Sequence, residues 1–191
     1  MVFIWYYFGD REISQEKRLI CLSLVASLAI ITRHDYILLY APVLFVEFIQ
    51  AAKKVSLRVA FRALLIGMVP FLAWEIFSMV YYGFPFPNTY YAKTQNFVIF
   101  SSNAALALHY FEYTLIYDPI TLLVIFFGSL TGISFQKTRL LTLGVLLYLV
   151  YIFSIGGDFM GGRFFSVPYM IALLVMMAVS YTHLRAHETK A

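Results

Sequence analysis

The chain has 191 residues, of which 62% are hydrophobic and only 13% charged, and its mean hydropathy is +0.80. Soluble domains sit nearer half apolar and a quarter charged, so this composition excludes a soluble enzyme or carrier and marks an integral membrane protein. The net charge of +4 does not point to nucleic acid, because the basic residues fall between apolar runs, the pattern that orients membrane proteins.

Those runs are continuous and not alternating, so the prediction is an all-α, polytopic bundle of transmembrane helices and not a β-barrel. Val2–Phe8 reads as the tail of a helix already under way, and Gly9–Arg18 as a polar loop. Leu19–Thr32 is an apolar run, short for a span unless Gln15–Arg18 extend it. The charged interruption Thr32-Arg33-His34-Asp35-Tyr36 follows, then apolar Ile37–Ala52 with a kink at Pro42, then the basic loop of Lys53, Lys54, Arg58 and Arg62. Cys21, the single cysteine, lies inside an apolar run, so no intrachain disulfide can form.

Ala63–Tyr82 has the roughly 20 residues that a span needs and carries Glu75 within it. Such a carboxylate faces the bundle interior or a wet cavity; a pairing with Arg33 or Arg163 is one reading, and a protonated or snorkelling glutamate with no role is the other. Gly83–Asp118 is predicted to be an external loop with short interfacial helices. Asn88 is read as one N-cap, Ser102 or Asn103 as another, and Tyr110, Tyr113 and Tyr117 suit a helix lying in the interface. His109 and Glu112 stand one turn apart, a spacing that favours a structural role over a metal site.

Asp118-Pro119 reads as N-cap and first residue of the next helix. Ile120–Phe135 and Leu140–Ile155 are two further spans, joined by a turn with Lys137 and Arg139, and Phe164–Ala178 starts the last of about six. The string Val179–Thr189 is similar to the conceptual translation of a transposase adapter from sequencing libraries, so residues 179–191 are set aside. His183 and His187 are not read as a metal pair.

With the Lys53–Arg62 loop placed inside, the clusters at Arg11–Arg18 and Lys137–Arg139 fall on the same side, as the positive-inside rule asks. Three odd polar stretches then share the outer side: Thr32–Tyr36, Tyr81–Lys93 and Gly156–Arg163. The last, Gly-Gly-Asp-Phe-Met-Gly-Gly-Arg, packs four glycines, one carboxylate and one guanidinium between two apolar runs. Glycines there permit positive φ and a close approach to a ligand. A tight turn with a structural Asp–Arg pair is the plainer alternative. Together the stretches supply Arg33, Lys93 and Arg163 against Asp35 and Asp158, an excess of positive charge suited to a lipid-linked phosphate.

The same stretches carry a resemblance. Thr32-Arg33-His34-Asp35 resembles a Thr-Arg-Pro-Asp/Glu motif, with His34 in place of proline. Tyr81–Lys93 resembles a Tyr-Tyr-Gly-x-x-x-Pro-Asn-Thr-x-x-Ala-Lys loop, and Gly156–Met160 a Gly-Gly-Asp-Phe/Trp-Met signature. These belong to bacterial GT-C-fold glycosyltransferases, and among them the terminal arabinofuranosyltransferases of the mycobacterial envelope are the nearest in pattern. The resemblance covers roughly Leu19 to Ala178.

It implies a multi-pass protein of the bacterial plasma membrane, with its site on the extracytoplasmic face. The implied reaction moves a sugar from a polyprenyl-phosphate donor to a cell-envelope glycan or lipid acceptor. No residue is assigned to a cofactor or a metal beyond that lipid-linked substrate, the need for a metal is left open, and no nucleic-acid partner is expected. Arg33, Lys93 and Arg163 are then the donor-phosphate ligands, and Asp35, Asn88, Asp158 and Tyr82 orient the sugar or the site. The family's acidic catalytic residue lies in its first external loop, which would fall upstream of Met1, so this stretch alone is expected to be inactive. A membrane transporter or lipid flippase is the alternative, because it too places charge within apolar spans.

Overall fold

A computed structural model describes residues 2–9, 13–85, 100–158 and 160–188. All the regular structure among them is helical, in two compact units, Met1–Tyr91 and Ala92–Ala191.

The first unit holds α1 (Val2–Phe8), α2 (Gln15–Thr32), α3 (Ile37–Lys54) and α4 (Leu57–Tyr82). Ser14 caps α2, its hydroxyl accepting from the Lys17 amide, so the helix takes in Gln15–Arg18 as the sequence requires for length. Ser56 caps α4 in the same way through the Val59 amide. That cap starts α4 six residues before the predicted Ala63, and Arg58 and Arg62 therefore sit on helix and not in a loop. Gly83 ends α4 in the left-handed conformation, φ 75°.

The core of this unit is the seam between α2 and α4. Small residues line it: Ser23, Ala26 and Ser27 on α2, and Ala60, Ala63 and Gly67 on α4, are all buried. A methyl group at Gly67 would run into the Ser23 hydroxyl and the Ile20 carbonyl. Close backbone approach is how helices associate where lipid removes the hydrophobic drive. The amide of Phe71, just after Pro70, donates to Ser27 Oγ at 2.9 Å across the same seam.

The second unit holds α5 (Phe100–Tyr117), α6 (Pro119–Ser134), α7 (Arg139–Ser154) and α8 (Ser166–Glu188). Asp118 caps α6 as predicted, accepting from the Thr121 amide and hydroxyl at 3.3 and 2.6 Å, with Pro119 at the first position. Ser102 and Asn103 do not cap α5, because the helix begins at Phe100. Asn103 Nδ2 instead donates to the Ser154 carbonyl. α6 packs on α8 through Gly128, whose missing Cβ makes room for Ala172, and Gly132, which makes room for Thr142 of α7 and Val175 of α8. α5 and α6 meet at 106°, so with α6 along the membrane normal α5 lies near the membrane plane. α8 runs on past Ala178, since Leu, Ala, Arg and Glu all favour helix.

Among the described residues three helical stretches, His34–Lys54, Leu57–Tyr82 and Arg163–Ser180, are long and apolar enough to cross a membrane, and a fourth is added if the bent α5–α6 pair is one span. That is fewer than the six read from the sequence. The first turn of α2 carries Glu16, Lys17 and Arg18, and α6 and α7 are 16 residues each.

Candidate functional site

In the first unit the turn between α2 and α3 carries the charges. Arg33 takes an extended conformation, φ −153° and ψ 117°, which stops α2, and His34–Tyr36 form one 3-10 turn. Arg33 and Asp35 face each other in a fork, Nε to Oδ1 at 3.1 Å and a second nitrogen to Oδ2 at 2.6 Å. Both side chains are mostly buried, and the guanidinium also lies 5.3 Å from the centre of the Tyr36 ring. Arg33, read from the sequence as a phosphate ligand, and Asp35, read as orienting the sugar or the site, are thus one ion pair.

Glu75, for which Arg33 was one predicted partner, pairs within this unit with a different residue. His34 holds it, Nε2 to Oε1 at 2.7 Å. The sequence flagged both residues but not their pairing, because α2 and α4 are brought together by a seam of small residues that hydropathy does not mark. Tyr82 is exposed at the end of α4, its ring edge-on to Tyr81 at 4.8 Å.

A second network lies at the opposite end of this unit and was not foreseen as such. Glu47 is buried on α3 and accepts from Arg18 at 3.0 and 3.2 Å and from Gln15 at 3.3 Å. Arg18 also donates to the Tyr7 carbonyl at 2.9 Å, tying α1 to α2 and α3. The signal was present in the sequence, as a lone glutamate inside an apolar run with arginine in the facing helix's first turn. The interaction spans 29 residues, a separation that local spacing cannot read.

In the second unit the glycine knot joins α7 to α8. Gly156, Gly157 and Gly162 have φ of 79°, 75° and 73°, the left-handed region that glycine enters at little cost. The close approaches are to the chain itself. A Cβ on Gly157 would fall 2.5 Å from Cγ of Tyr110, and one on Gly161 would fall 2.6 Å from Cε1 of Tyr113. Tyr110 is the anchor: it is buried, its hydroxyl accepts from the Phe164 amide at 3.2 Å, and its ring stacks on Phe165 at 5.1 Å. Tyr113 and Tyr117 are exposed, as an interfacial helix would present them.

The knot presents its two charges unequally. Asp158 is 6% exposed, whereas Arg163 is 54% exposed and places a nitrogen 3.6 Å from Asp158 Oδ2. A buried carboxylate needs a partner of this kind; the same nitrogen lies 3.7 Å from Met160 Sδ, and Arg163 is one of the residues lining an open pocket of about 520 Å³. Asp118, Thr121, Gly162, Ser166 and Tyr169 line it with Arg163. Asp118 was read from the sequence only as a helix cap, and its place beside Arg163 is new.

Lys93 and Asn88, with Tyr90 and Tyr91, lie outside the described residues. His109 and Glu112 form an exposed pair at 3.4 Å, and no cluster of three metal-ligating side chains occurs among the described residues. The structure therefore groups the predicted residues as Arg33 with Asp35 in one unit and Asp158 with Arg163 in the other. Set against protein-family models, curated proteins and solved structures, the chain matches none.

Proposed function

We propose that the protein is a membrane glycosyltransferase of the GT-C type, with about six spans, which moves a sugar from a polyprenyl-phosphate donor to an envelope glycan or lipid acceptor. The reaction takes place at the outer face of the bacterial plasma membrane. The observation that supports this reading most is the unequal Asp158–Arg163 pair. A buried carboxylate lies 3.6 Å from one terminal nitrogen of a half-exposed guanidinium, and that arginine lines a pocket with Asp118, Thr121 and Ser166.

In this reading Arg163 binds the donor's phosphate oxygens. As an acceptor hydroxyl oxygen bonds to the sugar's anomeric carbon and gives up its proton to a base, the bond from that carbon to the phosphate oxygen breaks, its electrons pass to the departing polyprenyl phosphate, and the fixed positive charge stabilises them. Lys93 adds a second, point-like charge, and Arg33 a third that Asp35 orients. Asp158, Asn88 and Tyr82 position Arg163 and the sugar.

The test is transfer of labelled sugar from a polyprenyl-phosphate donor by the complete protein in membrane vesicles. Arg163→Ala is expected to lower the rate at least tenfold, about 1.4 kcal/mol of transition-state stabilisation. Losses below tenfold in both Arg163→Ala and Lys93→Ala would sink the phosphate assignment. One observation favours a transporter or flippase instead: the His34–Glu75 pair set within apolar helix, since ionisable groups there mark transport paths. Movement of the labelled lipid between leaflets without sugar transfer would select that reading.

A further inference from the structure

Glu75 sits in α4, a helix apolar over most of its length, where an ionised carboxylate is expensive without a partner. His34 and Glu75 are 19% and 15% exposed at the side chain, so water reaches them little, and they are 2.7 Å apart. One helical turn before Glu75, the Phe71 ring stands edge-on to the imidazole at 5.9 Å. The same imidazole belongs to the 3-10 turn His34–Tyr36, which includes Asp35 and is preceded by Arg33. A side chain of α4 therefore holds the middle of a short, charged connection between α2 and α3.

We propose that Glu75 is a positioning residue. Acting through His34, it anchors the turn to α4 and so fixes the direction in which the Arg33–Asp35 pair is presented to the donor phosphate. The anchoring stands on the geometry alone, while the consequence for the donor rests on the reading of Arg33 given above. Proline at position 34 would be the covalent counterpart of this tie. A proline would fix the turn covalently through its ring, and the ψ of 117° at Arg33 is one that a residue before proline adopts. The His34–Glu75 tie does with side chains what the ring would do with the backbone.

The experiment uses the complete protein in lipid nanodiscs, with two readouts. One is hydrogen exchange of the backbone amides at 33–37. The other is KM and kcat for a polyprenyl-phosphate sugar. Glu75→Leu is expected to speed exchange at least tenfold and to raise KM at least fivefold, with kcat changed less than twofold. Glu75→Gln, which keeps a hydrogen bond to the ring, stays within threefold of wild type in both. The double variant Glu75→Leu/His34→Pro returns exchange and KM toward wild type. Should Glu75→Leu not fold, His34→Leu/Glu75→Leu leaves no polar group stranded and carries the same expectation.

Unchanged exchange in the leucine variants, or no rescue by proline, overturns the anchor. Faster exchange with KM unmoved overturns the positioning role. Faster exchange in a protein with no measurable transfer at all leaves the anchor standing and removes the donor-site reading.

Discussion

Gly83, Gly162 and Gly157 share nearly the same backbone angle, φ 73° to 75°, but not the same surroundings. Nothing lies within 4 Å of a Cβ built on Gly83 or Gly162, whereas one on Gly157 enters the Tyr110 ring. The first two glycines answer to conformation alone, and the third answers to conformation and contact together. Gly162→Ala should therefore cost roughly 1–2 kcal/mol, the price of an L-residue in the left-handed region. Gly157→Ala adds an overpacking term of about 1–3 kcal/mol and should cost clearly more in reversible unfolding from mixed micelles. Equal costs would mean that the knot does not rest on Tyr110. From the sequence the four glycines were legible as a site of positive φ, which three of them are. Their close approach was assigned to a ligand, because nothing local to Gly157 reveals a tyrosine on another helix.

Helix existence was readable for a simple reason: apolar runs bounded by charge are long-range signals that survive without knowledge of packing. Helix starts were readable where a cap stood next to an apolar run, as at Asp118-Pro119, and were misplaced where the cap preceded a basic stretch. Arg58 and Arg62 disguised the first turns of α4, although arginine favours helix and snorkels at its ends. Helix faces were not readable. α4 and α6 are apolar nearly all round, so no stripe shows which side meets a neighbour, and the seam is instead marked by missing volume at Ser23, Ser27 and Gly67. Gly67→Val should force α2 and α4 apart and lower stability by roughly 2–4 kcal/mol. Val69→Ala, at a position 55% exposed on the same helix, should stay within about 0.5 kcal/mol. If the two variants unfold alike, the seam does not hold the first unit together.

Each unit, taken by itself, separates its charges along its own helix axes. In the first, the Arg33–Asp35 turn and Glu75 stand at one end, and Arg18, Lys53, Lys54, Arg58 and Arg62 gather at the other. In the second, the knot and the Asp118 cap stand at one end, with the Lys137–Arg139 turn at the other. Lysine and arginine concentrate on the cytoplasmic side of short membrane loops because moving them across is costly. By that rule the basic end of each unit should face the cytoplasm, and its other end, which carries the Arg33 turn in the first unit and the knot in the second, should face outward. Cysteine scanning decides this in a Cys21→Ala background, since Cys21 is the single native cysteine. Met160, 48% exposed at the knot, and Lys54 and Lys137, both exposed, are the positions to use. Met160→Cys should react with a membrane-impermeant maleimide in intact cells, and Lys54→Cys and Lys137→Cys only after permeabilisation. Labelling of Met160→Cys from the cytoplasmic side alone would put the knot on the wrong face for an extracytoplasmic donor. Labelling of Lys54→Cys and Lys137→Cys from opposite sides would place the two polar ends across the bilayer from each other, where no single phosphate could bridge them.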